Sequence, residues 1–270
     1  VTTIRDLFGV PRALIGMIHV GALPGTPAAR HSVGALIEAA LADAHAYRSA
    51  GFHGVMIENM HDRPYLNRTV GPEITAAMTA IGREVSRDVS LPLGVQVLAG
   101  ANREALAVAL ACGARFVRCE GFVFAHLADE GLMNADAGEL LRYRRTIGAG
   151  DIRVFADIKK KHSSHAITAD LDLATTARAA EFALADGVIV TGAATGEPTD
   201  PADVHDACRA VAIPVLVGSG VTAGTMPQLA MAHGFIVGSE AKQDGVWSNA
   251  VDPARAHALV AACAQLPERS

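Results

Sequence analysis

The sequence is short of the features that mark several protein classes. Its four cysteines, Cys112, Cys119, Cys208 and Cys263, contain no C-x-x-C pair, so neither a zinc cluster nor a disulfide framework is indicated, and a reducing cytoplasm is the expected setting. No run approaches ~20 consecutive apolar residues, and the start "VTTIRDLFGV" lacks the basic-then-apolar layout of a signal peptide, which points to a soluble protein without a membrane span. Excess positive charge is missing too: the formal net charge is −5. With few aromatics to stack on bases, the single "KKK" run reads as a solvated loop, and nucleic acid is not expected as a partner. No Pro/Ser linker or change of composition divides the chain.

What is present is apolar and periodic. Half of the 270 residues are hydrophobic, enough to bury a large core without metal or disulfide staples. Eight short β-branched runs stand out: "ALIGMIHV", "GVMIEN", "LGVQVL", "RFVRCE", "IRVFADI", "GVIVTG", "PVLVGSG" and "GFIVGSE". Most are separated by alanine-rich stretches with apolar positions at helical spacing, several ending in glycine. Eight alternating units predict an α/β fold, a single (β/α)8 TIM-type barrel covering residues 1–270 as one domain.

The longest non-periodic stretches all follow predicted strands, among them "NMHDRPYLNRTVGPE", "GFVFAHLADEGLMNADA" and "KKKHSSHAITADL". In a barrel these loops gather at the C-terminal mouth, where active sites are built, so the asymmetry favours an enzyme. Polar residues at the strand ends supply its candidates. His19 stands at the end of an apolar strand and is either a hydrogen-bonded core histidine or a catalytic one. Glu58 follows "GVMI" and would be costly to bury unpaired, which favours a catalytic role. Asn59 and Thr191 sit at the same level as candidate substrate contacts. Gln96, Arg118 and Glu120 fit a structural polar layer, with Gln96 and Arg118 also placed to touch substrate.

Within "VFADIKKKHSSH", strand alternation puts Phe155 and Asp157 on one face. If that face lines the barrel, Asp157 tops it, where a carboxylate can orient a cation, bind a hydroxyl pair or move a proton. Lys161 and His162 are its expected chemical partners, and Lys159 and Lys160 are expected in solvent. Two successive strand ends, "LVGSGVT" and "IVGSEAK", place Gly-Ser after an apolar run. Gly218, Ser219 and Gly220 in the first, with Gly238 and Ser239 in the second, suit close approach of backbone N–H groups and hydroxyls to an anion. In barrels the loops after strands 7 and 8 are a frequent phosphate site. Lys242 either adds charge there or faces solvent.

Seven motifs, "IGMIHVGALPGTP", "GVMIENMHD", "FADIKKKH", "VIVTGAATGEP", "PVLVGSGVT", "GFIVGSEAK" and the late "DG...NAVDPAR", resemble in order and spacing the BtpA/SgcQ family, named partly from a photosystem I biogenesis factor of cyanobacteria. The resemblance runs through nearly the whole chain and implies a TIM-like barrel related to phosphate-binding ones. The family's fifth-strand pattern, an Asp and then Lys-His, corresponds to Asp157, Lys161 and His162, with Lys159 and Lys160 as departures in the intervening stretch. The segment also looks like the D-x-K strand of decarboxylating barrels, but His162 stands where their second Asp belongs, and that chemistry is not carried over.

Together these features predict an enzyme acting on a small phosphorylated or nucleotide-like sugar. Asp157 and His162 would move protons, Lys161 would stabilise negative charge, and Glu58 would serve as second acid/base or contact a hydroxyl. No organic cofactor is indicated. A divalent metal is conceivable, since His19, Glu58, Asp157 and His162 offer nitrogen and oxygen ligands, although the first strand has no H-x-H pair. The competing reading is the family's own: a non-catalytic assembly or regulatory factor that binds a protein partner. A homo-oligomer is expected only because enzymes commonly assemble symmetrically, with Trp247 either at such an interface or capping the barrel.

Overall fold

The computed structural model describes residues 3–160, 162–192 and 198–268. Eight parallel strands close into a barrel: β1 (Ala13–His19), β2 (Gly54–Glu58), β3 (Leu93–Gln96), β4 (Phe116–Cys119), β7 (Arg153–Ile158), β9 (Gly187–Val190), β10 (Val215–Val217) and β11 (Gly234–Val237). Each coincides with one of the apolar runs. The reason is that parallel strands are covered on both faces, so nearly every residue in them is buried and the sequence signal is continuous.

Between β4 and β7 the chain adds a hairpin, β5 (His126–Ala128) and β6 (Gly131–Met133). With β8 (Ser163–Ser164) it forms a separate antiparallel sheet in the order β6-β5-β8. Both loops carrying it follow strands of the barrel, which puts this sheet on the mouth side. The sequence suggested irregular loops here.

Helices α2 (Val33–Ala50), α3 (Pro72–Asp88), α4 (Asn102–Cys112), α5 (Ala137–Thr146), α6 (Leu173–Phe182), α7 (Pro201–Ala210) and α8 (Pro253–Ala264) cover the outside. Their ends follow local chemistry. Ser32 caps α2 by accepting from the Ala35 N–H, and Gly51 closes it at φ 96°. Its inner face, Leu36, Ala40, Ala44 and Tyr47, repeats at helical spacing. The crossover from β10 to β11 departs from the pattern: it contains only a 3-10 turn, Met226–Leu229, in a segment where Pro227 limits helical hydrogen bonding.

A short first helix, α1 (Ile4–Phe8), has no counterpart in the expected strand-helix repeat. Thr3 and Asp6 form a capping box around its start. Ile4, Leu7 and Phe8 join the barrel-lining residues Ile15, Met56, Phe116, Phe155, Ile189 and Leu216 in one buried cluster. Phe8 meets Phe116 edge-on at 5.5 Å, and Phe116 meets Phe155 at 5.8 Å. Glycines make the space: a Cβ on Gly54 would sit 2.6 Å from the Phe8 ring, one on Gly94 2.2 Å from Phe116, and one on Gly187 2.4 Å from Phe155. The lower barrel is therefore a packed apolar plug. The polar residues lie in the layers above it.

Candidate active site

Strand register builds the upper layer. His19 of β1 lies beside Glu58 of β2, and Glu58 beside Gln96 of β3. Arg118 of β4 and Asp157 of β7 point into the same space, because Phe116 and Phe155, two residues earlier on each strand, line the barrel below them. Both are almost fully buried and form a two-pronged ion pair: Arg118 Nε donates to Asp157 Oδ1 at 2.9 Å and Nη2 to Oδ2 at 3.0 Å. Burial alone would lower the pKa of Arg118, but Asp157, by charge and hydrogen bonding, holds it above its ordinary value. Among the described residues Asp157 is thus paired with Arg118, a residue that the sequence did not set beside it. Lys161 lies outside the described residues.

A cavity of about 190 Å³ opens over this layer. His19, Glu58 and Arg118 line one side, and Gly218, Ser219, Gly220, Gly238 and Ser239 the other. The predicted anion loops and three of the predicted polar strand ends therefore share one space. Gly238 lets the His19 ring come close, since a Cβ there would lie 3.1 Å from Cε1, and Gly220 turns the chain at φ 63°. Ser219 Oγ accepts from the Gly192 N–H at 2.6 Å, and Ser219 O accepts from Thr199 Oγ1 at 3.0 Å, which ties the loop after β10 to that after β9. Lys242 is not at this loop's disposal. It is fully buried and paired with Asp43 of α2.

A second cavity, of about 320 Å³, shares Glu58 and Arg118 with the first. Its further walls include Tyr65, Gln96, Glu120, Glu130, Lys160 and His162. Lys160, expected in solvent, is buried, with Nζ 3.6 Å from both Glu120 Oε2 and Glu130 Oε2. Lys159 instead reaches the far end of its loop, donating to Leu171 O at 2.6 Å. Burial raises the pKa of Glu120 to about 7, against the opposing pull of Lys160. Nearby His126 is pushed down to about 4, by burial first and then by Lys160.

Trp247 is one of the residues that line this second cavity. His19 Nδ1 and Trp247 O are 2.7 Å apart, and because a carbonyl only accepts, Nδ1 is the donor of this bond. His61 packs against the indole at 4.7 Å and the Arg63 guanidinium lies 5.1 Å from its centre.

Two predicted contacts, Asn59 and Thr191, are not among the residues lining the two cavities. Asn59 is buried, donates to Asp62 Oδ2 at 2.8 Å and accepts from the Leu98 N–H at 2.7 Å, pinning the loops after β2 and β3. Thr191 is buried beneath Gly218 and lines neither cavity. Conversely, Glu130, Lys160 and Trp247 line the site without having been singled out as site residues. The "ADEG" turn after "FAHL" was the available signal for Glu130. Among the described residues, no group of three or more His, Cys, Asp or Glu side chains is arranged to hold a metal ion, and no helix is long and apolar enough to cross a membrane.

The BtpA family profile matches residues 10–265. The chain belongs to the BtpA family. It is 44% identical over 258 residues to an uncharacterized mitochondrial protein of Caenorhabditis elegans, covering 93% of each chain. It is 35% identical over 260 residues to the photosystem I biogenesis protein BtpA of Synechocystis, covering 96% of this chain and 90% of that one. Among solved structures, the orotidine 5'-monophosphate decarboxylase of Methanocaldococcus jannaschii matches with a TM-score of 0.60 at 10% identity, over 93% of this chain and 98% of that chain. At that identity the likeness is one of fold. The BtpA-family barrel thus shares its architecture with a TIM-barrel enzyme, while its site must be argued from its own residues.

Proposed function

We propose that this BtpA-family barrel is an enzyme that performs acid/base chemistry on a small phosphorylated, sugar-like substrate. The observation that supports the reading is the meeting of the two glycine-serine strand ends with Arg118, Glu58 and His19 around one cavity. Backbone N–H groups and hydroxyls of the loops after β10 and β11 would take the phosphate. The rest of the substrate would extend past Arg118 and Glu58 into the second cavity.

In this reading Glu58 and Glu120 are the proton-moving carboxylates. Glu120 is suited to the task because a carboxyl that titrates near 7 is both available as an acid and effective as a base at neutral pH. Arg118 stabilises negative charge developing between the two cavities, and Asp157 holds its guanidinium in orientation, which makes Asp157 a positioning residue. His162, at the exposed rim of the second cavity, is a further acid or base. Isomerisation, epimerisation and bond cleavage all use this equipment. The proposed setting is the reducing cytoplasm, in keeping with four free cysteines.

The test is a thermal-shift panel of phosphorylated sugars and nucleotides, each paired with its unphosphorylated counterpart, because a ligand that binds only the native state raises its unfolding free energy. A shift with the phosphorylated member of a pair and none with its twin is the expected result. If no phosphorylated compound moves the transition, the phosphate reading is abandoned.

A second reading, a partner-binding assembly factor, draws on the printed name of the Synechocystis relative and on the exposed Leu127 and Leu132 of the mouth-side sheet. Full biological activity in mouth variants, together with one stable protein partner, would favour it.

A further inference from the structure

The second cavity carries a demand that the described residues do not satisfy. Gln96 and Glu120 are 2% and 4% exposed, the Glu130 side chain is 6% exposed, and each has a buried side-chain oxygen without a hydrogen-bond partner. Lys160 stands between the two carboxylates, but at 3.6 Å its contacts are charge pairing beyond hydrogen-bond length. The oxygen end of an amide and an ionised carboxylate only accept, and Glu120, whose carboxyl titrates near 7, does so in its ionised form, so what these groups lack above neutral pH is donors. Buried polar atoms are ordinarily satisfied, and three unsatisfied ones lining one cavity mark a place for a ligand.

The chemistry selects the ligand. An ammonium would supply donors but would have to settle beside Lys160, with Arg63 and Arg118 on the same walls. A second phosphate would present oxygens to oxygens and meet Glu58, Glu120, Asp129 and Glu130, while Arg118 is already paired with Asp157. Hydroxyls carry no charge and donate. We infer that Gln96, Glu120 and Glu130, gathered round Lys160, form a hydroxyl-reading subsite for the neutral, polyhydroxyl end of a monophosphorylated substrate, and that it rejects a second phosphate. Glu130 comes from the β5–β6 turn, so the hairpin completes the subsite from above. This inference rests on the phosphate reading only for the other end of the ligand.

Calorimetric titration of the full chain separates the two ideas. The probes are ribose 5-phosphate, glucose 6-phosphate and fructose 6-phosphate, their unphosphorylated sugars, pentyl phosphate, and the matching bisphosphates. At least one sugar monophosphate should bind about tenfold or more tighter than pentyl phosphate, as expected when hydroxyls bond to charged acceptors, and tighter than its bisphosphate. Glu130→Leu and, separately, Gln96→Leu should each cut that preference severalfold while leaving pentyl phosphate affinity unchanged, which also shows that the variants fold. Equal binding of sugar and pentyl phosphates by the wild-type chain, tighter binding of the bisphosphates, or a preference that survives both variants overturns the subsite and leaves the phosphate reading standing. Binding of free sugars with no gain from phosphate does the reverse. Failure of every probe removes both.

Discussion

Arg118 and Asp157 show how a residue's surroundings change the experiment it calls for. If Asp157 is a proton-moving carboxylate, as the sequence suggests, Asp157→Asn should leave the fold nearly intact and remove most turnover. In the structure the same change leaves the Arg118 guanidinium buried at 4% exposure without its counter-charge. Breaking one side of a buried pair typically costs about 3–5 kcal/mol, so Asp157→Asn is expected to lower the unfolding free energy by roughly that amount in urea titration. A double variant, Arg118→Met with Asp157→Leu, should recover most of it, because the lone charge is gone. Glu120 gives a second prediction at this scale. Its folded pKa of about 7 lies above the unfolded value near 4.5, so the folded state holds the extra proton between those limits. The associated stability is present below about 4.5 and is lost as pH rises through about 7. Asp136, raised to about 6, acts in the same sense, whereas His126, lowered to about 4, makes the protein lose stability as pH falls. The difference between wild type and Glu120→Gln isolates the effect: the variant should gain relative stability from pH 4.5 to 7 and then level off.

Among the elements, legibility followed burial. The eight barrel strands were visible because burial on both faces makes each an unbroken apolar run. The same logic seated His19, Glu58, Gln96, Arg118 and Asp157 at strand ends, yet it could not pair them, since pairing depends on barrel closure. The β5–β6 hairpin was hidden: its strands have three residues each and mix buried His126 and Met133 with exposed Leu127 and Leu132. Lys160 was hidden for a related reason, because the carboxylate that covers it from that hairpin lies 30 residues away in sequence. The hairpin is held down by Asn67, whose Nδ2 donates to Glu130 O at 3.2 Å and Leu132 O at 3.0 Å. Asn67→Ala removes both bonds. At about 1–2 kcal/mol together, their loss should speed local amide exchange of residues 126–133 by about 5–30-fold, with exchange in β1 and β11 unchanged. Equal acceleration throughout would mean that the hairpin and barrel open together.

For the whole molecule, the proposal of a single domain makes its sharpest claim at the end opposite the site. Helix α1 has five residues, too few to be read from periodicity or to be stable alone. It exists because Phe8 fills the gap beside Gly54 and stacks edge-on with Phe116, which in turn meets Phe155. Strand closure between β1 and β11 follows directly after this helix, with Ala13 paired to Gly234, so the plug and the seam of the barrel are neighbours. Truncating a buried phenylalanine costs about 3–5 kcal/mol, and in a single cooperative unit that cost is felt by all strands at once. Phe8→Ala is therefore expected to lower the melting temperature as one transition, with far-UV circular dichroism and tryptophan fluorescence from Trp247 falling together although Trp247 sits at the mouth. Ligand affinity at temperatures where the variant is folded should match the wild type, since Phe8 lines neither cavity and its cluster meets the first one through Met17 and Ile236. Two separated transitions, with the fluorescence change preserved at the wild-type temperature, would show that the mouth folds independently of the plug and would end the single-domain proposal.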